Sequence, residues 1–409
     1  MPSKEKLNRR SFIGRSVASV VGAGLGLSGA AKALSAVGSA AVEGAGSKEK
    51  PRIREYRELG GTGWKVSEIA FGNGGMQEPS TLEYAIERGI NYVDTARQYY
   101  DMEKVIGQIF PAKRDKLFVT TKLMPELITP ETTAEQVMTG IEESLERLNT
   151  DYVDCCLIHS VGEDPKLSSP DKIKNTKVHE AFAKAKEQGK IRFWGASSHG
   201  PRMIEDFDWL VENTDIDMIM PGMNLMTKGI EPVIAKARKE DVAVVAMKSL
   251  SAARKIVQSQ YMKDAKLVRR VVLKWLLAQP NIDTISITAP TFEAVDEYVS
   301  ISGKKQMSPE EKEILIGYST TLEHDYCRPG CDCCLDSCPH NVPIYDILRY
   351  RLYFENYGRE KYAMSLYSSL PESRKASVCG PCHAPCESNC PYNIAIRTKL
   401  LETHSELTV

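Results

Sequence analysis

Nine of the eleven cysteines in this 409-residue chain lie close together near its C-terminal end. Eight of the nine form two strings whose thiols are separated by two or three residues, while Cys333 belongs to neither. The strings are Cys327-x3-Cys331-x2-Cys334-x3-Cys338 and Cys379-x2-Cys382-x3-Cys386-x3-Cys390. Thiolates at such spacings bind metals, so the sequence predicts iron–sulfur clusters or zinc sites, or disulfides if the compartment is oxidising.

Each string ends in Cys-Pro and resembles a bacterial ferredoxin motif, in which the fourth cysteine ligates the other cluster. The resemblance implies two [4Fe–4S] clusters. One would use Cys327, Cys331, Cys334 and Cys390. The other would use Cys379, Cys382, Cys386 and Cys338. Helical patterns between the strings, over Tyr345–Tyr357 and Arg359–Leu370, favour a small, mainly helical ferredoxin-like domain at 321–409.

The part of the chain before the cysteines alternates short apolar runs with helix-length segments, which is typical of parallel strands joined by crossover helices. Eight such runs within about 270 residues favour a (β/α)8 TIM barrel, an α/β fold, over residues 53–320. The runs are Glu68–Phe71, Ile90–Asp94, Leu117–Thr121, Tyr152–Ile158, Ile191–Gly195, Asp217–Met220, Val242–Met247 and Thr284–Ile287. A hairpin is predicted ahead of them, around GGTG at 60–63.

Four strings in this region resemble the aldo/keto reductase family and occur in the family's order. They are YRELGGTG at 56–63, NYVDTARQY at 91–99, TTK at 120–122 and LIH at 157–159. The resemblance covers most of residues 53–300 and points to the branch with a C-terminal [4Fe–4S] ferredoxin-type domain and a twin-arginine signal. It implies an oxidoreductase whose chemistry lies at the C-terminal rim of the barrel.

The resemblance implies that Tyr99 is the general acid/base, supported by Asp94, Lys122 and His159. Hydride reduction of a carbonyl needs an acid that protonates the developing alkoxide. A tyrosine has a reference pKa near 10, so an adjacent Lys122 ammonium is expected to lower the pKa of Tyr99. Asp94 would orient that lysine, and His159 would donate a hydrogen bond to the substrate oxygen.

The family holds its nicotinamide amide with Ser-Asn after the fifth strand and Gln at the sixth. Here Ser197 and Ser198 follow the fifth strand, and Met220 stands where the Gln would fall. Asn224 and Lys248 keep positions typical of the more divergent branch, so these two and the two serines are the candidate cofactor contacts. The run TAPTF at 288–292 lacks the basic residue that binds the 2′-phosphate of NADP, so the cofactor is expected to be NADP or NAD.

The N-terminus carries the string NRRSFIG at 8–14, which resembles a twin-arginine export signal. An uncharged stretch of about 16 residues follows and is too short for a stable membrane span. We expect a signal peptide over 1–33, with cleavage as late as residue 45, and a linker over 34–52. The alternative is a basic amphipathic or disordered tail. The resemblance implies export to the periplasm or another extracytoplasmic space by machinery that carries folded proteins.

Composition excludes several other classes of protein. The 53 basic and 54 acidic residues give a net charge of −1, which provides no electrostatic basis for binding nucleic acid. A mean hydropathy of −0.31 excludes a polytopic membrane protein.

The favoured hypothesis is an exported oxidoreductase that acts on a small-molecule carbonyl or alcohol and couples this chemistry to the two clusters. One alternative is a barrel that uses a different electron donor, fed through the clusters by a redox partner protein. Another is a non-catalytic electron-transfer subunit whose barrel is a docking scaffold.

Overall fold

The computed structural model describes residues 50–72, 78–250 and 264–408. The expected signal peptide at 1–33 lies outside the described residues, as does the expected linker at 34–52 apart from its last three positions. Residues Lys50–Val409 form one compact unit. In the described ranges, no helix is both long and apolar enough to cross a membrane.

Eight parallel strands close into a barrel in the order β10-β3-β4-β5-β6-β7-β8-β9. The strands are β3 (Ile69–Gly72), β4 (Tyr92–Asp94), β5 (Phe118–Lys122), β6 (Val153–Ile158), β7 (Ile191–Ser198), β8 (Met218–Pro221), β9 (Ala243–Ala246) and β10 (Thr284–Thr288). The predicted (β/α)8 barrel is therefore confirmed. Its strands are almost wholly buried because helices cover their outer face and side chains fill the barrel interior.

The predicted hairpin precedes the barrel and consists of β1 (Tyr56–Glu58) and β2 (Lys65–Ser67), which pair antiparallel. Leu59 and Val66 are fully buried and pack into the barrel interior. Gly60 has a φ of +47°, and a Cβ there would lie 2.4 Å from the backbone nitrogen of Ala243 at the start of β9. Only glycine fits this approach, so the GGTG turn holds the hairpin against the N-terminal end of the barrel.

Helices follow most strands and pack around the barrel. They are α1 (Pro79–Glu87), α2 (Met102–Gly107), α3 (Phe110–Lys113), α4 (Ala134–Leu148), α5 (Thr176–Glu187), α6 (Met203–Asn213), α7 (Glu231–Lys239), α8 (Ala265–Leu277), α9 (Phe292–Val299) and α10 (Pro309–Leu322). The α4 helix begins with a capping box, in which Thr133 and Gln136 each bond the other's backbone N–H. The last of these helices ends at Leu322, just beyond the expected barrel end at residue 320.

The cysteine-bearing segment is mainly helical, as predicted. Its helices are α11 (Ile344–Tyr357), α12 (Glu360–Ser368), α13 (Pro385–Ser388) and α14 (Ile396–Leu407). They share a separate apolar core that includes Val342, Ile347 and Leu400. The hydroxyl of Tyr367 accepts the backbone N–H of Ala376 at 2.9 Å inside this core.

The two Cys-Pro sequences form the same turn. The N–H of Asn341 donates to the Cys338 carbonyl at 3.2 Å, and that of Asn393 donates to the Cys390 carbonyl at 3.1 Å. Both asparagines have a φ of +52°, a conformation that asparagine tolerates better than most residues. The first turn leads into α11 and the second into α14, so the repeat in the sequence is also a repeat in the structure.

Candidate active site and cysteine sites

The C-terminal ends of three neighbouring barrel strands bring the predicted catalytic residues together. Asp94 ends β4, Lys122 ends β5 and His159 directly follows β6. Tyr99 lies in the loop after β4, where its N–H donates to the Ala96 carbonyl at 3.0 Å. Parallel strand register places all four side chains at one rim of the barrel.

Lys122 is fully buried and forms an ion pair with Asp94. Its ammonium also donates to the Thr95 carbonyl at 2.8 Å, and Ser286 Oγ donates to Asp94 Oδ2 at 3.5 Å. Burial opposes the charged form of Lys122, but Asp94 and Tyr99 outweigh burial and raise its pKa above the usual value. Burial also raises the pKa of Asp94, and Lys122 limits that rise.

Tyr99 lies between Lys122 and His159. The Lys122 Nζ is 5.3 Å from the centroid of the Tyr99 ring. The rings of Tyr99 and His159 meet edge to face, with centroids 5.8 Å apart and planes at 82°. Burial raises the pKa of Tyr99, while Lys122 acts in the opposite direction. The lysine thus has the expected effect but does not lower the net pKa, so the phenol is protonated and can donate a proton.

His159 is buried and neutral. Burial, followed by the charges of Lys122 and Lys248, holds the pKa of His159 well below its ordinary value. Among the described residues, its Nδ1 has no hydrogen-bond partner. A neutral imidazole in this position can donate a hydrogen bond without adding a full positive charge.

The four candidate cofactor contacts lie on the adjoining part of the same rim. Ser197 and Ser198 end β7, while Asn224 follows β8 and Lys248 follows β9. The Ser197 hydroxyl is buried and has no hydrogen-bond partner in the described part of the chain, whereas Ser198 Oγ accepts the Gly200 N–H at 3.2 Å. Asn224 is engaged within the protein, since its Nδ2 donates to the Tyr326 hydroxyl at 3.2 Å.

Met220 packs into the apolar interior of the barrel and is fully buried. A thioether has neither the amide donor nor the amide acceptor of the glutamine expected there. Position 220 therefore offers no amide contact to a nicotinamide.

The cysteine-bearing segment covers this rim, which sequence reasoning missed. The Tyr345 hydroxyl donates to the His199 carbonyl after β7, and the Gly330 N–H donates to the Gly200 carbonyl at 3.0 Å. The segment meets other loops of the rim in the same way. These contacts are Lys166 Nζ to the Leu335 carbonyl at 2.7 Å and Gln98 Nε2 to the Tyr362 hydroxyl at 3.4 Å.

Two tyrosines of α11 lie directly over a candidate cofactor contact. The Lys248 Nζ is 5.3 Å from the Tyr353 ring centroid and 5.7 Å from that of Tyr357. Tyr345, Arg349, Tyr353 and Tyr357 recur every four residues and so share one helix face. That spacing is the one sequence signal that could have shown α11 to be an active-site element.

Most of the string cysteines fall into two neighbourhoods, which meet where Cys386 acts on Cys334. Burial raises the pKa of the Cys327 thiol, and Cys334, Cys331 and Cys390 add to the shift. Burial likewise raises the pKa of Cys379 to about 12, with contributions from Cys338, Cys382 and Cys386. The fourth cysteine of each string thus lies near the other string, while Cys333 is exposed.

Across the described ranges, no three His, Cys, Asp or Glu side chains are arranged to share one metal ion. The Val342 N–H donates to Cys338 Sγ at 3.4 Å. Buried Cys334, Cys379 and Cys386 belong to the apolar core of the segment.

A sequence model of the aldo/keto reductase family matches residues 73–314. The chain belongs to the aldo/keto reductase family. The match includes all four predicted catalytic residues and ends before the first cysteine string. The protein is accordingly an aldo/keto reductase-like oxidoreductase.

Relatives within the family align mainly with the barrel. An uncharacterized oxidoreductase, YqkF, from Bacillus subtilis is 25% identical over 307 residues, which are 64% of this chain and 96% of the relative. L-galactose dehydrogenase from Arabidopsis thaliana is 26% identical over 309 residues, 66% of this chain and 94% of the relative. A Klebsiella pneumoniae aldo-keto reductase, solved in complex with NADPH, superposes with a TM-score of 0.52 at 23% identity. That superposition covers 64% of this chain and 94% of the other and shows the shared fold.

Proposed function

We propose that the barrel interconverts a carbonyl and an alcohol on a small molecule, with Tyr99 as the general acid/base. The observation that carries this proposal is the position of Lys122, which is buried, paired with Asp94 and 5.3 Å from the Tyr99 ring. A structural ion pair alone does not require a tyrosine and a neutral histidine to meet beside it. Together the four groups can deliver a proton to an oxygen atom.

In the reducing direction, the protonated Tyr99 donates its hydroxyl proton to the substrate oxygen as negative charge develops there. The phenolate that remains is stabilised by the Lys122 ammonium, and Asp94 keeps that ammonium charged and in place. The ring N–H of neutral His159 donates a second hydrogen bond to the same oxygen. In the oxidising direction, the phenolate takes the proton back.

We propose NADP or NAD as the cofactor, and when bound it supplies or accepts the hydride. The buried Ser197 hydroxyl, which has no hydrogen-bond partner among the described residues, fits a carboxamide of the nicotinamide ring. Ser198, Asn224 and Lys248 lie on the same rim and complete the candidate site. The NADPH in the Klebsiella pneumoniae structure is a property of that protein and supports the proposal through the shared family.

The matched pair Tyr99→Phe and Tyr100→Phe tests the acid/base role. Tyr100 is the next residue and its side chain is 73% exposed, so it controls for loss of a nearby hydroxyl. We expect Tyr99→Phe to lower kcat for carbonyl reduction by about 100- to 10,000-fold, the usual contribution of general acid catalysis. Tyr100→Phe is expected to retain activity. Equal turnover by the two variants, with both folded, would refute the assignment.

We also propose that the cysteine segment holds two [4Fe–4S] clusters, with the crossed ligand sets given by the ferredoxin resemblance. The two thiol neighbourhoods support this proposal, because Cys390 lies near Cys327 and Cys338 lies near Cys379. A four-iron cluster is larger than one ion, so its ligands need not converge as zinc ligands do. Such clusters supply one-electron transfer.

Iron and sulfide analysis of anaerobically purified protein tests the clusters. We expect about eight of each per chain, with visible charge-transfer absorption. Cys338→Ser should lose about half of the iron, whereas Cys333→Ser, which changes the cysteine outside both strings, should retain all of it. A colourless, zinc-loaded protein, or equal iron loss in the two variants, would contradict the proposal.

A second candidate function is a barrel that receives electrons from a redox partner protein through the clusters. The observation that favours it is the position of the first cysteine string beside the rim, where Asn224 bonds the hydroxyl of Tyr326, next to Cys327. Addition of NADPH or NADH to the purified protein discriminates the two. Bleaching of the cluster absorption supports the nicotinamide, and its absence supports the partner.

A further inference from the structure

Arg349 is a buried cation with unsatisfied donors. Its side chain is in the middle of α11 and the residue is 3% exposed. One guanidinium nitrogen donates to the Tyr345 hydroxyl. In the described part of the chain, neither its Nε nor its Nη1 has a hydrogen-bond partner. Buried guanidinium donors are costly when unmatched, so their retention points to a ligand.

The position of Arg349 places it over the barrel rim. Tyr345, one turn earlier, reaches the His199 carbonyl, and Tyr353, one turn later, lies over Lys248. Because residues four apart share a helix face, Arg349 faces the rim between these two contacts, and it also lies near Cys327. Its charge acts on both rim residues and lowers the pKa of each, after the larger effect of burial and, at His199, that of Lys248.

Several other positive charges surround the same space. Burial, followed by Arg349 and Arg359, lowers the pKa of Lys248 to about 7. Arg359 also acts on Tyr99, so these cations lie near the group proposed to donate the proton. Arg349, Lys248 and Arg359 therefore all act on groups at this rim.

Two carboxyl groups among the described residues lie close to these cations. Asp94 is paired with Lys122. Asp346 is one turn before Arg349, but burial, with Asp164 and Glu163, raises its pKa to about 8. Asp346 is thus mostly protonated at neutral pH and matches little of the charge of Arg349.

We propose that Arg349 binds an oxyanion group of the substrate, so that the enzyme acts on a carbonyl or alcohol that also carries a carboxylate or a phosphate. This inference rests on the proposed reaction at Tyr99. A guanidinium binds either group through charge-assisted hydrogen bonds, and the unpartnered Nε and Nη1 can each donate one. The cysteine segment would then supply a specificity-determining residue to a site on the barrel.

The test compares Arg349→Gln with Arg351→Gln. Arg351 is on the same helix but is bound on the outer side by Glu355, Glu402 and Glu406, so its loss controls for general damage to α11. Binding of oxamate and of inorganic phosphate to the holoprotein is measured by calorimetry, which needs no turnover. The probe that binds more tightly distinguishes a carboxylate from a phosphate.

We expect Arg349→Gln to raise the Kd of the preferred probe by about 10- to 100-fold, the range for a lost charge-assisted hydrogen bond. Arg349→Lys should fall between Arg349→Gln and wild type because an ammonium keeps the charge but loses the planar set of guanidinium donors. Arg351→Gln should bind as wild type does. With turnover as a second readout, Arg349→Gln should raise KM for an oxo acid by a larger factor than KM for a neutral aldehyde.

Four results would overturn the inference. In the first, neither probe binds to the wild-type protein. In the second, Arg349→Gln binds the preferred probe as tightly as the wild type does. In the third, Arg349→Gln weakens the binding of NADPH or NADH as much as the binding of the probe, which assigns the Arg349 guanidinium to the cofactor phosphates. In the fourth, Arg349→Gln alters the electron paramagnetic resonance spectrum of the clusters and leaves anion binding intact, which assigns Arg349 to the site at Cys327. Binding of the probe is also measured for Tyr99→Phe, because this measurement needs no turnover. A failure of the anion site is thereby distinguished from a failure of the proposed reaction at Tyr99.

Discussion

The ion pair of Lys122 and Asp94 offsets the free-energy cost of burying the lysine ammonium. A buried ammonium is stable only where an anion compensates for its lost hydration. Asp94 provides that anion, and the Thr95 carbonyl accepts a further hydrogen bond from Lys122. The pair keeps a positive charge beside Tyr99 in a place that water does not reach.

Asp94→Asn is expected to destabilise the protein by about 3–5 kcal/mol at pH 7, because it leaves the Lys122 ammonium buried without its partner. The double variant Asp94→Asn/Lys122→Met should recover part of this loss, since it removes the stranded charge as well. Denaturant unfolding of the wild type and of the two variants measures both effects. Equal destabilisation of the two variants would show that the charges are not coupled.

The ion pair of Lys122 and Asp94 predicts that the free energy of unfolding depends on pH. The pKa of Lys122 is raised by folding, so its stabilising contribution is complete below the unfolded value of about 10.4 and is lost as the pH rises through the folded value. The stability difference between wild type and Asp94→Asn should therefore narrow above about pH 10.4. A stability difference between wild type and Asp94→Asn that stays constant to high pH would contradict a charged Lys122.

At the scale of elements, the spacing of apolar residues and the residues that end each segment were sufficient to predict the eight barrel strands and the helix α11. For example, the predicted run Tyr152–Ile158 corresponds to β6, and the predicted helix Tyr345–Tyr357 to α11. Local signals explain this success, because an apolar run that is buried on both sides has few alternative conformations. The strand β7 extends to Ser198, three residues beyond its predicted end, because Ala196 and the two serines after it pair with β8.

The docking of elements was not predictable in this way. Arg349 and Tyr353 were predicted to be helical, yet nothing local to α11 shows which surface its tyrosine face covers. That surface is formed by His199 and Lys248, which are about 150 and 105 residues away along the chain. The net pKa of Tyr99 was missed for the same reason, because its burial depends on long-range packing.

At the scale of the whole molecule, the cysteine segment and the barrel are parts of one compact unit. The rim contacts made by Tyr345, Gly330 and Leu335 need a folded segment to form. If the clusters hold that segment together, metal loading and completion of the active site are one event. We propose that the protein acquires its clusters in the cytoplasm and is then exported in the folded state.

We therefore expect Arg9→Lys/Arg10→Lys to retain the protein in the cytoplasm with its iron and its carbonyl reductase activity intact. If the twin-arginine pair is an export signal, as we propose, its loss changes the location of the protein and not its folded state. Fractionation with iron analysis measures both, and Lys4→Gln/Lys6→Gln is the control for basic charge alone. If the arginine variant still reached the periplasm, or stayed behind without iron, export of the loaded protein by this route would be refuted.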